Sequence, residues 1–541
     1  MGKPVGRPSA SHPLPFVALA ITALAALALQ LYNVAGTFLS DDFGHLGVIA
    51  RFAERDALGA WTLARFYEPL DSGNFAYRPL AFVTYALDWV AWRGNALGWR
   101  ATSLAFFALI ALAAGVLVTR WLSAWSPNAM LAGVLAGCLL AAYPFAGEIS
   151  YWLVGRFDLL VCLFTLLYLL ALPLAARSSA RQHALRIAWL LCALLSKESA
   201  LPLPFIATLL VFACTAADTG RNAANIARSL RTTVGAMWPS WVVLVGYLGW
   251  RIHLFGTPWK VYPSSTPPRD IAQWWERTSG IVNIAQENAG AHYLIGALVA
   301  AVLVVAIAFA GFRATRNASR QAPALLLALL AAAALYFVAP GLSFPVSSPS
   351  GEGGRHFYLG WAYVSLLVGV LAAGQRWATT LGAALVALML AAQAHSLAQW
   401  HAAGIRMQAI VAGVGRFAPS IAEDEYALLL LPDHIGVALF ARTAQGVIVG
   451  PQVQRRDFLP RIAVMLGTDF PVWSRFITDG KIAQLKGAAA FDPERFVGLY
   501  CWNEAKGTFV VLTDGAVALE PQRWQAMAKQ NFADAGCLAP F

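Results

Sequence analysis

Asp41 and Asp42 stand side by side in FLSDDFGHL, directly after a long apolar run, in a 541-residue chain with only 28 acidic residues. Adjacent carboxylates repel, so outside bulk water the pair needs a metal, an arginine or a shared proton to offset the cost. Capping of a helix by Ser40 or Asp41 explains the same residues equally well. If the pair does chemistry, a carboxylate near a hydroxyl is a general base.

Three further groups interrupt apolar sequence and supply the opposite charge. In YRPL, Arg78 precedes a proline at a helix start, where it can anchor at the membrane interface or bind phosphate. YPFAGEISYWLVGRFDLL sets Glu148, Arg156 and Asp158 near the ends of consecutive apolar runs, as either a site or a structural ion pair between helices would require. LLSKESALPLP carries Lys197 and Glu198, and no other lysine falls between Lys3 and Lys260. A compact ammonium suits one point charge of a phosphate, whereas a guanidinium suits two of its oxygens. The later SPSGEGGRHFYLG adds Arg355 among glycines that let backbone approach a ligand, so these cations could together cradle an anion.

The elements that must position these residues are apolar. The chain is 59% hydrophobic and 12% charged, with 20 Trp and a positive mean hydropathy, which identifies a polytopic α-helical membrane protein. Its net charge of +11 comes from arginines clustered between apolar runs, without a continuous basic face. They read as topology signals and exclude nucleic acid as the expected partner. The first run, Phe16 to Val34, follows Lys3 and Arg7; it is long enough to span a bilayer and lacks a convincing cleavage site, so a retained helix is expected.

Hydropathy predicts about eleven transmembrane helices. The segment Tyr77 to Trp92 could span or lie in the interface, and the short run Ile187 to Leu195 is tolerated only where a break at SKES lines a protein cavity. With the N-terminus cytoplasmic, Arg120, then Arg177, Arg181 and Arg186, then Arg221, Arg228 and Arg231, then Arg313, Arg316 and Arg320, then Arg376 fall inside. Asp41, Asp42, Glu68, Glu148 and Glu352 fall outside. Residues 1–398 are then the membrane domain and 399–541 a small exported α/β domain. Its strands are expected at YALLLLP, GVIVG, FVGLYCW and GTFVVLTDGAVAL, with amphipathic pieces at DPERF and QRWQAMAKQ. Of six cysteines, Cys501 and Cys537 lie in this tail and could pair in an oxidising compartment; the other four lie in or beside apolar runs as packing residues.

In this order, the motifs resemble the GT-C superfamily of polytopic glycosyltransferases, especially the protein O-mannosyltransferase branch and its bacterial relatives. SDDF matches the family's acidic pair after the first span, and YRPL its arginine-proline motif. Pro144, Glu148, Gly155, Arg156 and Asp158 match the next exported turn. Lys197 and Glu198, with Pro202 or Pro204 behind them, match the following element, and Arg355, Phe357, Tyr358 and Leu359 the late one. His356 beside Arg355 departs from the family pattern, and the tail after Gln399 carries no family motif.

The resemblance implies transfer of a hexose or pentose from a polyprenyl-phosphate donor to a hydroxyl of a glycan, lipid or protein acceptor, on the exported face of a bacterial inner membrane. It implies Asp41 as base, Asp42 as a residue orienting the acceptor, and Lys197, Arg355 and Arg78 on the donor phosphate, supported by Glu148, Arg156, Asp158, Glu198 and Tyr358. A direct in-line attack implies inversion. Some branches place a divalent metal, Mg or Mn, between such acids, whereas the mannosyltransferase branch implies transfer without one. Two other readings fit intramembrane charges and broken helices: a lipid or glycan flippase, and a non-catalytic envelope assembly protein that works through its tail.

Overall fold

The computed structural model describes residues 14–68, 76–124, 126–173, 179–219, 222–258, 266–318, 321–342, 351–374, 376–442, 444–466, 495–514 and 535–538. Its helices are α1 (Leu14–Tyr32), α2 (Asp41–Glu54), α3 (Leu58–Ala64), α4 (Pro79–Trp92), α5 (Ala96–Leu122), α6 (Ala129–Ala141), α7 (Arg156–Leu170) and α8 (Ala180–Ser196). They continue as α9 (Leu203–Thr219), α10 (Ala223–Phe255), α11 (Ile271–Ala289), α12 (Tyr293–Ala318), α13 (Gln321–Val338), α14 (Tyr358–Ala372) and α15 (Arg376–Phe417).

Five helical segments among the described residues are long and apolar enough to cross a membrane: Ala96–Leu122, Leu153–Leu170, Glu198–Ala217, Gln321–Leu342 and Trp377–Ser420. Counting the bent pair α11 and α12 as one span gives up to 6. Other expected spans are present but short: α6 has 13 residues and α14 has 15. At about 1.5 Å per residue they reach roughly 20 Å, less than the ~30 Å hydrocarbon core. Leu153–Leu170 is 83% buried, at the centre of the bundle. Lys3, Arg7, Arg177, Arg221 and Arg320 lie outside the described residues.

Two breaks in the helical bundle carry most of the charged motifs. Between α6 and α7 the chain winds through a π turn, Gly147–Tyr151, and a 3₁₀ turn, Leu153–Gly155. Gly155 is required there, because a Cβ would lie 2.1 Å from the Glu148 carbonyl oxygen. Between α8 and α9 the helix stops at Ser196, Lys197 is fully extended (φ −165°, ψ 147°) and Glu198–Ala200 forms a 3₁₀ turn. Irregular backbone at membrane depth persists only where surrounding protein satisfies it, and both breaks are buried.

The boundary expected at Gln399 falls inside α15, a continuous helix of 42 residues. The apolar run ends near Ala394, but no proline interrupts helix formation before Pro419. Past the boundary, Trp400, Ala403, Met407, Ile410 and Val414 are all fully buried. Their alternating three- and four-residue spacing makes one stripe along the helix, which joins the loop between α1 and α2 to the C-terminal domain in a single core.

In that domain, strands β1 (Tyr426–Leu431), β4 (Ile462–Leu466), β5 (Phe496–Asn503) and β6 (Thr508–Asp514) form a sheet of order β4-β1-β5-β6. Strand β1 is parallel to both neighbours, and β6 is antiparallel to β5. Side chains of a strand alternate between faces, so Leu429 and Leu431 enter the core shared with α15, whereas Leu428 and Leu430 pack with Cys501 on the other side. A hairpin of β2 (His434–Ile435) and β3 (Ala438–Leu439) follows β1. The strand expected at GVIVG is instead a helical turn, Gln445–Ile448, tucked against α2. Its buried side chains answer to a local core contact and not to a ladder. Cys501 and Cys537 form a disulfide, with Cα atoms 5.8 Å apart. Most of DPERF and all of QRWQAMAKQ lie outside the described residues.

Candidate active site

The acidic pair opens α2, where carboxylates complement the helix dipole. Ser40 makes no side-chain capping bond and sits at φ 45°, strained backbone for a residue with a Cβ. Its N–H donates instead to the Phe440 carbonyl of the C-terminal domain at 2.8 Å.

The two acids have different surroundings. Asp42 is 2% exposed. Its Oδ2 accepts from the Leu39 N–H (3.3 Å) and its Oδ1 from the Leu153 N–H (3.1 Å). Burial pushes its carboxyl up to about 8, against the lowering effect of the Leu39 N–H and the Arg100 charge. Asp42 therefore ties the first loop to the turn before α7, and the expected role of orienting an acceptor does not suit a carboxylate enclosed by backbone. Asp41 is only partly buried and carries the more accessible acid.

One helical turn beyond Asp41, His45 packs its ring against Phe82, Tyr85 and Phe157. Burial and the positive charge of Arg78 hold it below its usual range, while Asp41 opposes them. The Arg78 guanidinium lies over the other partner, the Phe157 ring, 4.8 Å from its centroid. The Phe157 ring thus touches both the His45 imidazole and the Arg78 guanidinium.

Arg78 makes a fork on Glu198, with Nε and Nη2 donating to Oε2 at 3.1 and 3.0 Å. The Tyr77 N–H donates to the other oxygen at 3.0 Å, and Arg251 approaches that oxygen at 3.7 Å. Next to Glu198, the Lys197 ammonium meets Asp158 at 2.5 Å. The break after α8 is therefore two back-to-back ion pairs that join α4, α7 and α10.

Glu148 does not pair with Arg156 or Asp158 across the helices. It is 1% exposed and organises the late loop. Its Oε1 accepts from the Gly353 and Gly354 N–H groups at 2.7 and 3.0 Å, and its Oε2 from the Arg355 N–H at 3.1 Å. Burial raises its pKa, opposed by the Arg355 charge and these N–H groups. Gly353 adopts φ 123°, a conformation open to glycine that turns successive N–H groups onto one carboxylate. In this structure the loop glycines bring backbone to Glu148.

Glu148 thereby delivers Arg355. That guanidinium stacks over Trp152 at 4.5 Å and lies 3.5 Å from Glu148, and its Nη1 makes no hydrogen bond. His356, beside it, is held well below the usual range by burial and by the charges of Arg355, Lys197 and Arg78. The charges of the three cations expected from separate motifs thus all act on one buried imidazole.

Two further expected supporting residues are held by ion-pair and packing contacts within the bundle. Arg156 is fully buried and pairs with Asp88 at 2.6 Å, while Nη2 donates to Trp99 O and Ser103 Oγ. It fastens α7 to α4 and α5. Tyr358 is buried against Tyr143 and Phe107, in the bundle core.

Sequence reading missed Arg100, Arg251 and the trio Asp433, His434 and Arg442. Arg100 donates to the carbonyls of Val34 (3.0 Å), Gly36 (2.8 Å) and Thr37, fixing the chain just ahead of the acidic pair. Arg100 and Arg251 share one legible signal: each is an arginine at the end of an apolar run that the expected topology places outside, where that topology does not ask for one. Among the described residues, no group of three or more His, Cys, Asp or Glu side chains is arranged to hold a metal ion.

No protein-family model and no curated protein matches this sequence. Two solved structures of ArnT from Cupriavidus metallidurans are similar in outline, both 14% identical. The apo form covers 83% of this chain and 86% of its own, with a TM-score of 0.48. The form bound to undecaprenyl phosphate covers 81% and 84%, with a TM-score of 0.44.

Proposed function

We propose that this chain is a membrane glycosyltransferase of the GT-C type that moves a sugar from a polyprenyl-phosphate carrier to an acceptor hydroxyl at the exported membrane surface. The observation that carries the reading is that the break after α8 brings Arg78, on Glu198, and Lys197, on Asp158, next to each other, and that the charges of both act with that of Arg355 on the buried His356.

Cleavage of a glycosyl phosphate needs a base for the incoming hydroxyl and positive charge for the departing phosphate. Asp41 is the base, since Asp42 is bound to backbone. Arg355 and Lys197 receive the phosphate: Arg355 has a guanidinium nitrogen without a hydrogen bond, and Lys197 is a compact charge at the break of the chain. Arg78, held in a fork by Glu198, contributes its field from behind. The acceptor oxygen bonds to the anomeric carbon as the carbon–phosphate-oxygen bond breaks. The hydroxyl proton goes to Asp41 and the electron pair to the phosphate, with inversion. Transfer proceeds without a divalent metal.

The test is incubation of the purified chain with labelled polyprenyl-phosphate sugars and a membrane extract. Wild type should label an acceptor. Asp41→Asn should lower turnover by about 10²–10⁴ while still binding the donor. Lipid movement between leaflets with donor and acceptor unmodified would identify a flippase instead.

A further inference from the structure

The hairpin that follows β1 touches both halves of the site. On one side, the Phe440 carbonyl holds the strained Ser40 N–H directly before Asp41. On the other, two side chains from the hairpin and its flank, His434 and Arg442, grip Glu352, which precedes the Gly353–Arg355 segment. His434 Nε2 meets Glu352 Oε2 at 2.7 Å, and Arg442 Nη1 donates to Glu352 Oε1 at 3.0 Å. Asp433 completes the set, accepting from Arg442 Nε and Nη2 at 3.1 and 2.8 Å and lying 2.9 Å from His434 Nδ1.

The hairpin is itself anchored. The Phe440 N–H donates to the Asp433 carbonyl at 2.8 Å, so the end that grips Glu352 and the residue that grips Ser40 are joined by one bond. At its tip, the Val437 N–H donates to Gln399 on α15 at 3.0 Å. Loops that carry reacting groups on separate strands of chain drift independently unless something spans them, and misplacement by about 1 Å can cost 10²-fold in rate.

We propose that residues 433–442 form a spacer that sets the distance between the acidic turn and the Arg355 loop, with Arg442 and His434 as positioning residues acting through Glu352. The kinetic part rests on the reading above, in which Asp41 and Arg355 act on one substrate. The mechanical part does not. The C-terminal domain is then a component of the site, coupled to both loops through ten residues.

The experiment uses the full chain in lipid nanodiscs, comparing wild type with E352Q, R442M, R442K and the double variant E352Q/R442M. Hydrogen exchange is followed at residues 38–42 and 351–357, alongside donor KM and kcat. R442M should speed exchange in both segments together by about 5–10-fold, the loss expected for one charge-assisted contact set. R442K should restore part of the protection, and the double variant should add little to either single one. Donor KM should rise with exchange. Both single variants serve, one on each side of the contact, so failure of one to fold leaves the other. Folded R442M and E352Q that alter exchange only in their own segment, or in neither, would overturn the spacer. A wild-type chain that transfers no sugar would remove the proposed reaction, while the exchange data would still decide the coupling.

Discussion

The Lys197–Asp158 pair yields a prediction that separates folding from binding. Both side chains are under a tenth exposed and 2.5 Å apart. Removing one partner of a buried pair strands the other, at about 3–5 kcal/mol, so Lys197→Met and Asp158→Asn should each destabilise by that amount. Removing both leaves no stranded charge, and the double variant should cost no more than about 2 kcal/mol, a coupling of roughly 4 kcal/mol or more. Binding should behave differently. One charge acting on a phosphate from ~4 Å at an effective dielectric near 20 is worth about 4 kcal/mol. Lys197→Met should therefore weaken polyprenyl-phosphate binding by about 10²–10³, whereas Asp158→Asn, which keeps the Lys197 charge and removes its carboxylate, should bind at least as tightly as wild type. Denaturant titration in nanodiscs and binding of a labelled polyprenyl phosphate measure the two quantities. A double variant that costs the sum of the single ones, or a folded Asp158→Asn that binds as poorly as Lys197→Met, would refute the assignment.

Glu148→Gln keeps one oxygen for Gly353 and Gly354 but sets an amide donor against the Arg355 N–H, so donor KM should rise about tenfold or more, with faster exchange at residues 353–355. Burial acts to lower the His434 pKa, but its hydrogen bonds to Asp433 and Glu352 outweigh this and raise it; burial acts to raise Glu352 and Asp433, but His434 and Arg442 outweigh it and lower both. A raised histidine stabilises fully below its unfolded value near 6.5 and loses that contribution as pH rises through its folded value; the lowered acids lose theirs as pH falls through their folded values. Protection of residues 351–357, corrected for intrinsic exchange, should therefore fall on the alkaline side of 6.5 in wild type and lose that step in His434→Gln. Reducing Cys501–Cys537, which closes a sequence separation of 36, should destabilise the C-terminal domain by about 4 kcal/mol, read by its denaturant midpoint with and without reductant.

The sequence by itself determined the membrane class, the run of charged motifs and the break at SKES, because hydropathy and charge are local properties. It also marked Asp41, Lys197 and Arg355, each conspicuous where a bilayer disfavours charge. Partners were a different matter. Glu148, Arg156 and Asp158 share one stretch and look like a mutual bridge, yet they pair with Arg355, Asp88 and Lys197 respectively. An ion pair in a low-dielectric interior is set by which helices pack together, and spacing along the chain carries no record of that.

The same limit explains α15 and the tail. A hydropathy window ends where apolar residues thin out, but a helix continues as long as its backbone is satisfied and one stripe is buried. Only the packed structure shows the stripe from Trp400 to Val414 meeting the loop between α1 and α2. Nothing local in the sequence marks His434 and Arg442 as partners of Glu352, or Asp433 as the acid that holds them; the packed structure makes those contacts. Residue type therefore announced where charge would matter, and tertiary packing decided which charge each one would meet.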